Sequence, residues 1–519
     1  MLKTKKRLLF LILIIFSTYC AISIGYSWDE GFLIRQGQIT ANYLLSLGLV
    51  EPDNLFRREF YSPVYYSIRY LLVQAFPVSF QLEAGYLFNM AFSITAIVGI
   101  KKICEELFNK EIGIIVFLIL FFFPAFFGHM GFNSKDTIVA FCNVWIFLLA
   151  LRYIRLNKSK YIYYIGLLAA VGTGLNLFFL GSLVPLILFF FIEIFLFKKI
   201  SHKKISVRKI SFDIFKGFII FYFTLILFWI DTHSNILILP FKLIYEWTFS
   251  GLWRGYPYIL VNGEYFFYSD IPKSYLFINL IYKSPEYFLI AYPIFFIIFI
   301  TARSFFTKRI KNFNYSLLLI LSMALYPFLL LYLTPFSIYD GLRHVLWMIP
   351  YICVIPGLVI FYFLKNIKLL KIKFISSLMF LLICFFSFSF FTITPYQYTY
   401  LNFFSGKKEN NYKKFENDYW GGSIKELIKS LDLPKNTKLK MATCGVSTAV
   451  PKYYLKKNGY KNFKIGHYKE SDYIIMTNRV ILDQEDKKKL TNCFDKFQGE
   501  NLYYVYRNGA VLSVIRKIN

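Results

Sequence analysis

Two adjacent carboxylates, Asp29 and Glu30, lie in the stretch Gly25-Tyr26-Ser27-Trp28-Asp29-Glu30-Gly31-Phe32, directly after the first long apolar run of the chain. Acidic groups at the edge of the hydrocarbon are costly to place and call for a reason. A carboxylate partly desolvated at such a boundary gains basicity and can take a proton from an acceptor hydroxyl or amine. The plain alternative is a solvated acid pair or an ion-pair partner. Three further stretches carry groups of the same kind. His129, Asn133, Lys135 and Asp136 crowd a short polar turn. There Lys135 suits a phosphate, and Asp136 either orients an acceptor or a cation or caps the helix that follows. Arg343 and His344 sit at another apolar boundary, where an arginine either grips a phosphate bidentately or anchors to lipid headgroups. Asn262-Gly263-Glu264-Tyr265 is the weakest of these signals and reads on its own as a turn.

The elements that must hold these groups are membrane-spanning helices. Of the 519 residues, 57% are hydrophobic, above the roughly 45–50% usual for soluble domains, and long apolar runs recur through the first three quarters of the chain. The formal charge of +29 would suit nucleic acid or anionic lipid. Its placement argues against nucleic acid, because most Lys and Arg of the apolar portion fall in alternate short loops, as the positive-inside rule requires. Heavy use of Lys, Asn, Ile, Phe and Tyr is also consistent with plain compositional bias. Of seven cysteines, Cys20, Cys142, Cys353 and Cys384 lie in apolar runs and Cys104 in a basic-side loop, with no metal-ligand spacing. Cys444 and Cys493 lie in the polar tail and either pair, if the tail is outside the cytoplasm, or remain two thiols.

Residues 1–7 are basic and residues 8–25 apolar, with no small-x-small cleavage site, so an uncleaved first helix with its N-terminus inside is expected. The outer loop 26–82 should carry an amphipathic helix at the interface. Further helices are expected over residues 83–100, 112–127, 137–151, 161–176, 180–197, 212–230, 287–303, 315–333, 345–364 and up to 394. Basic inner loops separate them, among them Arg152 to Lys160, Lys198 to Lys209 and Lys365 to Lys373. The result is a polytopic α-helical membrane protein with about eleven transmembrane helices. This parity places the loops 26–82, 128–136, 231–286 and 334–344, and everything after residue 394, on the outer side. A transporter would tend instead to carry ionisable groups within its helices near the midplane.

Residues 395–519 change composition and read as a small extracytoplasmic α/β domain following the transmembrane domain 1–394. Ser423-Ile424-Lys425-Glu426 fits a capping box. Residues 438–444 and 473–476 read as strands, 448–457 as a helix stopped by Gly459, and 483–495 as another helix. Asn508-Gly509 is a strong hairpin turn.

Taken in order, these pieces resemble the dolichyl-phosphate-mannose protein mannosyltransferase family in its bacterial branch, which also includes the lipid A aminoarabinose transferase. These are C-type membrane glycosyltransferases. The resemblance rests on Trp28-Asp29-Glu30, on His129, Asn133, Lys135 and Asp136, and on Asn262, Gly263, Glu264, Pro272, Tyr275, Pro285 and Glu286. It continues through Asp340, Gly341, Arg343 and His344, then Pro395-Tyr396-Gln397-Tyr398, Tyr400-Leu401-Asn402 and Asp418-Tyr419-Trp420. Thr394, Ser405-Gly406 and Asn176 depart from the branch, which would carry His, Gly-Gly and Arg at those places. Asn176 bears on how the donor is held.

The resemblance implies sugar transfer from a polyprenyl-phosphate donor in the outer leaflet to a protein, lipid or glycan acceptor, with inversion. The setting implied is a bacterial cytoplasmic membrane. Asp29 would be the general base, with Glu30 in support. Lys135, Arg343 and His344 would take the departing phosphate, and His129, Asn133, Asp136, Glu264 and Tyr265 would line the sugar or acceptor pocket. A lipid-linked donor makes nucleotide binding unnecessary, and no Gly-rich phosphate loop is found. No cofactor is required by these residues, and a divalent cation beside the acidic groups is compatible with them. A flippase for lipid-linked sugars would share the helices but leave the boundary carboxylates and the outer domain without a use. A surface-polysaccharide polymerase or ligase would differ in its lipid donor, and a purely structural scaffold would have no use for the polar outer loops.

Overall fold

The computed structural model describes residues 2–50, 62–200, 206–249, 256–334, 337–368, 370–483 and 489–518. Lys203 and Lys204 of one basic loop, and part of the expected 483–495 helix, lie outside them.

The apolar portion folds as helices α1 (Leu2–Ser23), α2 (Glu30–Leu45), α3 (Val64–Val73), α4 (Gln81–Leu107), α5 (Lys110–Phe121), α6 (Pro124–His129), α7 (Ser134–Leu156), α8 (Lys160–Leu175), α9 (Phe179–Ser182), α10 (Val184–Ile192) and α11 (Val207–Phe228). They continue as α12 (Leu239–Phe249), α13 (Tyr275–Lys283), α14 (Glu286–Thr301), α15 (Arg303–Arg309), α16 (Phe313–Leu333), α17 (Ile349–Ile352), α18 (Val354–Asn366) and α19 (Leu370–Thr392). Helix α7 is the most buried of the long apolar helices, and the last helix, α19, is the most exposed of them. Asn133 caps α7 by accepting from the Asp136 N–H, and Asn157 closes it in the left-handed region at φ 52°.

Among the described residues, six helices are long and apolar enough to cross a membrane, or seven if α13 and α14, bent by 112°, form one span. Arg7–Ser23 and Val184–Phe197 are apolar but shorter. Helices stand at the expected places, yet several are broken, so this criterion yields fewer spans than the eleven read from the sequence. Proline accounts for three of the breaks. Pro124 restarts the third expected helix as α6, Pro185 opens α10 after the short α9, and Pro285 separates α13 from α14. Each proline lacks an N–H and disfavours helix in the residue before it. The fold is nonetheless that of a polytopic membrane protein.

Beyond α19 the chain builds a five-stranded sheet. Numbered after an earlier hairpin of β1 (Tyr258–Val261) and β2 (Glu264–Phe267), its strands are β3 (Leu439–Cys444), β4 (Phe463–Ile465), β5 (Tyr473–Thr477), β8 (Glu500–Arg507) and β9 (Ala510–Lys517), while β6 (Val480–Leu482) and β7 (Leu490–Asn492) pair as a separate two-stranded sheet. The order is β4-β3-β5-β9-β8, parallel among the first three and antiparallel at β5/β9 and β8/β9. Helices α20 (Ile424–Lys429) and α21 (Ala449–Lys457) cover one face through Ile424, Leu427, Val450 and Leu455. On the other face Ala442, Cys444, Ile474 and Met476 pack with Cys493 and Phe494 of α22 (Cys493–Lys496). Cys444 and Cys493 form a disulfide, the paired alternative of the two.

Two local expectations fail. Ser423 makes no capping bond; its hydroxyl instead donates to Asp418 at 2.5 Å and lies 2.6 Å from the Ser513 hydroxyl, while Glu426 accepts from Arg507 and Tyr396. The 483–495 segment is not one helix, because β7 pairs back on β6 through Val480 and Asn492. The tail seats directly on the start of the chain. Gly25 N–H donates to Gly422 O at 2.8 Å and Tyr26 N–H to the Tyr454 hydroxyl at 2.7 Å. Gly128 lies so close to the 397–398 backbone that a Cβ there would come within 2.1 Å of Tyr398 N.

Candidate active site

The two boundary carboxylates part company where α2 begins. Glu30 turns inward and is 3% exposed. It accepts from Arg69 Nη2 at 2.9 Å, from the Tyr86 hydroxyl at 2.7 Å and from Ser27 N–H at 3.4 Å. Burial pushes its pKa up, against the pull of the Arg69 guanidinium and the Tyr86 hydroxyl. Glu30 is therefore spent in a satisfied ion pair, the plain alternative of the two readings for that residue. Asp29 is half-buried at the N-cap of α2 and makes no capping bond. It lies within electrostatic range of Asp136, Tyr339 and Arg343, the members of the next cluster.

That cluster hangs from the start of α7 and the 340–345 turn. Asp136 Oδ2 accepts from Asn133 Nδ2 at 2.9 Å and from Arg343 Nη1 at 3.4 Å. Asn133 also donates to His129 Nδ1 at 3.2 Å, and His129 Nε2 lies 2.8 Å from the Tyr419 hydroxyl. Arg343 Nε donates to Asp340 Oδ2 at 3.0 Å. Its guanidinium sits 4.7 Å over the Trp420 ring and 5.0 Å from that of Tyr339. Buried on all sides, Arg343 is fixed by two carboxylates and two aromatic faces, a setting that only a planar guanidinium fills.

Beside it lies a cavity of about 260 Å³ whose walls include Lys135, His344, Asn176, Phe179, Leu330 and Trp347. Burial, with Arg343 and Lys135 nearby, holds the His344 pKa well below its ordinary value, so the imidazole is neutral at pH 7. A second, almost wholly apolar cavity of about 390 Å³ is lined by Leu180, Leu183, Phe190 and Phe221. Helix α9 serves both, giving Phe179, Gly181 and Ser182 to the first and Leu180 to the second. A charged chamber thus adjoins a greasy one.

Of the residues singled out from sequence, Asp29, His129, Asn133, Lys135, Asp136, Arg343 and His344 come together. Glu264 and Tyr265 do not join them. Asn262 at φ 49° and Gly263 at φ 95° form the turn between β1 and β2, which leaves Glu264 exposed. The Tyr265 hydroxyl accepts from Asn492 at 3.1 Å in the tail. Sequence reasoning missed Arg69, Arg479 and Glu416. Arg479 donates to Asp340 Oδ1 at 2.8 Å, and Glu416 is buried beside it, accepting from Val480 N–H at 3.0 Å. One signal was present: arginine is scarce in this lysine-rich chain, and a retained guanidinium marks a buried or bidentate role. Among the described residues no group of three or more His, Cys, Asp or Glu is arranged to hold a metal ion.

Among solved structures, the chain is similar to ArnT from Cupriavidus metallidurans without ligand, at TM-score 0.54 and 9% identity over 99% of this chain and 98% of that one. It is equally similar to ArnT from the same organism bound to undecaprenyl phosphate, at TM-score 0.54 and 10% identity over the same shares of the two chains. At these identities the likeness is one of fold. No protein-family model and no curated protein matches the sequence.

Proposed function

We propose that this chain is an integral-membrane glycosyltransferase that moves a sugar from a polyprenyl-phosphate donor to an acceptor at the outer face of the membrane. The observation that carries the reading is the adjacency of three things. A half-buried Asp29 lies within electrostatic range of Arg343, a cavity lined by Lys135 and His344 lies beside Arg343, and α9 lines both that cavity and an apolar one. A sugar phosphate on a long isoprenoid tail has the matching order of groups. The shared fold with a protein known bound to undecaprenyl phosphate supports the same reading.

In this scheme the donor phosphate occupies the chamber between Arg343 and Lys135. The acceptor hydroxyl or amine lies against Asp29, which takes its proton as the nucleophile attacks the anomeric carbon. The bond from that carbon to the phosphate oxygen breaks in the same displacement, inverting the centre. The negative charge that grows on the leaving phosphate is met by fixed cations in a largely water-free site. His344, being neutral, contributes an N–H donor rather than a charge. Glu30 acts on Asp29 only by anchoring the start of α2 to Arg69. A divalent cation would find Asp29 and Asp136 as its nearest carboxylates, and no step requires it. Residues 1–394 would then be the catalytic membrane domain and 395–519 an outer domain that seats on it. The setting would be a bacterial cytoplasmic membrane with the N-terminus inside, and the acceptor a protein, lipid or glycan.

The test uses purified protein in nanodiscs, radiolabelled polyprenyl-phosphate sugars and a membrane extract as acceptor source. Transfer by wild type that is lost in Asp29→Asn supports the reading. Movement of donor between leaflets without transfer would favour a flippase, and transfer that survives Asp29→Asn would sink the assigned base.

A further inference from the structure

Arg479 stands in the link between β5 and β6, far along the chain from the membrane helices, yet it is 4% exposed. A single nitrogen, Nη1, donates both to Asp340 Oδ1 at 2.8 Å and to Tyr419 O at 2.7 Å. The guanidinium lies 3.8 Å from the ring centroid of Tyr256. Asp340 gives its other oxygen, Oδ2, to Arg343 Nε at 3.0 Å. Arg343 then reaches Asp136 through Nη1 at 3.4 Å. One carboxylate is thus shared between an arginine of the 340–345 turn and one of the tail, 139 residues beyond Asp340.

We propose that Arg479 is a positioning residue for Arg343. Holding Oδ1 of Asp340, it keeps Oδ2 turned to Arg343 Nε alone and leaves Nη1 of Arg343 directed at Asp136, beside the chamber that His344 lines. The inference rests on the reading of Arg343 as the phosphate-binding group. Its physical basis is the preference of a carboxylate for a two-bond fork with arginine. Released from Arg479, Asp340 has one buried oxygen without a donor, which is costly, and the nearest remedy is to take Arg343 by two nitrogens and draw it from Asp136. The backbone cannot easily yield instead. Asp340 at φ 56° and Gly341 at φ 69° are both left-handed, and Gly341 N–H is held by the Tyr275 hydroxyl at 2.8 Å. The tail is then a working part of the site and not only a cover for it.

The experiment titrates purified full-length protein in nanodiscs with a long-chain polyprenyl phosphate and melts each variant in parallel. Arg479→Gln should weaken binding by about tenfold or more, the scale of a lost charged hydrogen bond. Arg479→Lys should restore most of it, because the two bonds come from one nitrogen and an ammonium can make both. The Arg479→Gln/Arg343→Lys double variant should bind no more weakly than Arg343→Lys alone, since both changes remove the same placed guanidinium. Binding by Arg479→Gln at wild-type strength overturns the proposal. So does a double variant whose losses multiply, or an Arg479→Lys that melts like wild type but binds like Arg479→Gln. Should Arg479→Gln fail to fold, Asp340→Asn repeats the test, and wild-type binding there also overturns it. A wild type that binds no polyprenyl phosphate overturns the phosphate reading itself, a result distinct from a binding wild type with an indifferent Arg479→Gln.

Discussion

Glu30 and Arg69 form a buried ion pair at 2.9 Å, and that pairing separates two carboxylates that are neighbours in sequence. Removing one partner of such a pair leaves the other charged and unmatched in a low-dielectric setting, at a cost of about 3–5 kcal/mol. Glu30→Gln should therefore lower stability on that scale in a thermal melt. Asp29→Asn removes no described side-chain bond and should leave the melt within about 0.5 kcal/mol of wild type. Its effect should fall on transfer, which should drop by about a hundredfold or more if Asp29 is the base. Equal effects of the two variants on the melt would contradict this division.

His344 and Lys135 line the same chamber but differ in charge. With the His344 pKa held well below its ordinary value by burial, Arg343 and Lys135, its imidazole stays neutral as pH falls from about 8 to about 6, through the usual histidine range. Donor affinity should thus show no histidine titration from this residue, and His344→Gln, which keeps an N–H donor, should leave the pH profile unshifted. Lys135→Met should weaken binding of a polyprenyl phosphate and flatten its salt dependence, because it removes a full charge. A titration measured at several pH values and ionic strengths checks both.

Gly181 has open space where a side chain would start, with no heavy atom within 4 Å of its Cβ position among the described residues, and it lines the charged chamber. Gly181→Leu should fold normally and fill part of that volume, lowering affinity for a polyprenyl phosphate by about tenfold or more if the lipid uses this route. Gly181→Ala should be nearly neutral. Unchanged binding by Gly181→Leu would take the donor out of this chamber.

The helices were legible because long apolar runs bounded by lysines mark where a helix starts and stops. The turns at 262–263 and 508–509 were legible because Asn-Gly accepts positive φ at both positions, and both are found there, the second at φ 45° and 85°. The breaks were less so. Pro124 and Pro185 sit inside continuous apolar runs, where hydropathy is blind to a missing N–H. Residues 483–495 have helical composition, but Asn492 pairs with Val480 and Cys493 is tied to Cys444, so tertiary pairing overrides local preference. In the site, the groups found from sequence are those clustered within a few residues of one another, as in His129 to Asp136. Arg479 and Asp340 meet only through the fold, and neither Thr477-Asn478-Arg479 nor its spacing announces that meeting.

Glu416 supplies a pH test of the same junction. Burial, with Asp340 adding to it and Arg479 opposing, lifts its pKa to about 7. A carboxyl whose pKa is raised on folding binds more protons in the folded state than in the unfolded one between its ordinary value of 4.5 and about 7. Stability then falls as pH rises through that window, the reverse of the usual acid effect. Glu416→Gln keeps an acceptor for Val480 N–H and removes the titration. Its melting temperature should match wild type near pH 4 and exceed it increasingly up to about pH 7, with the difference levelling off above the folded pKa. Parallel melting curves for the two proteins across that range would show that Arg479 and Lys283 compensate the Glu416 charge in full, and that the junction is not strained by it.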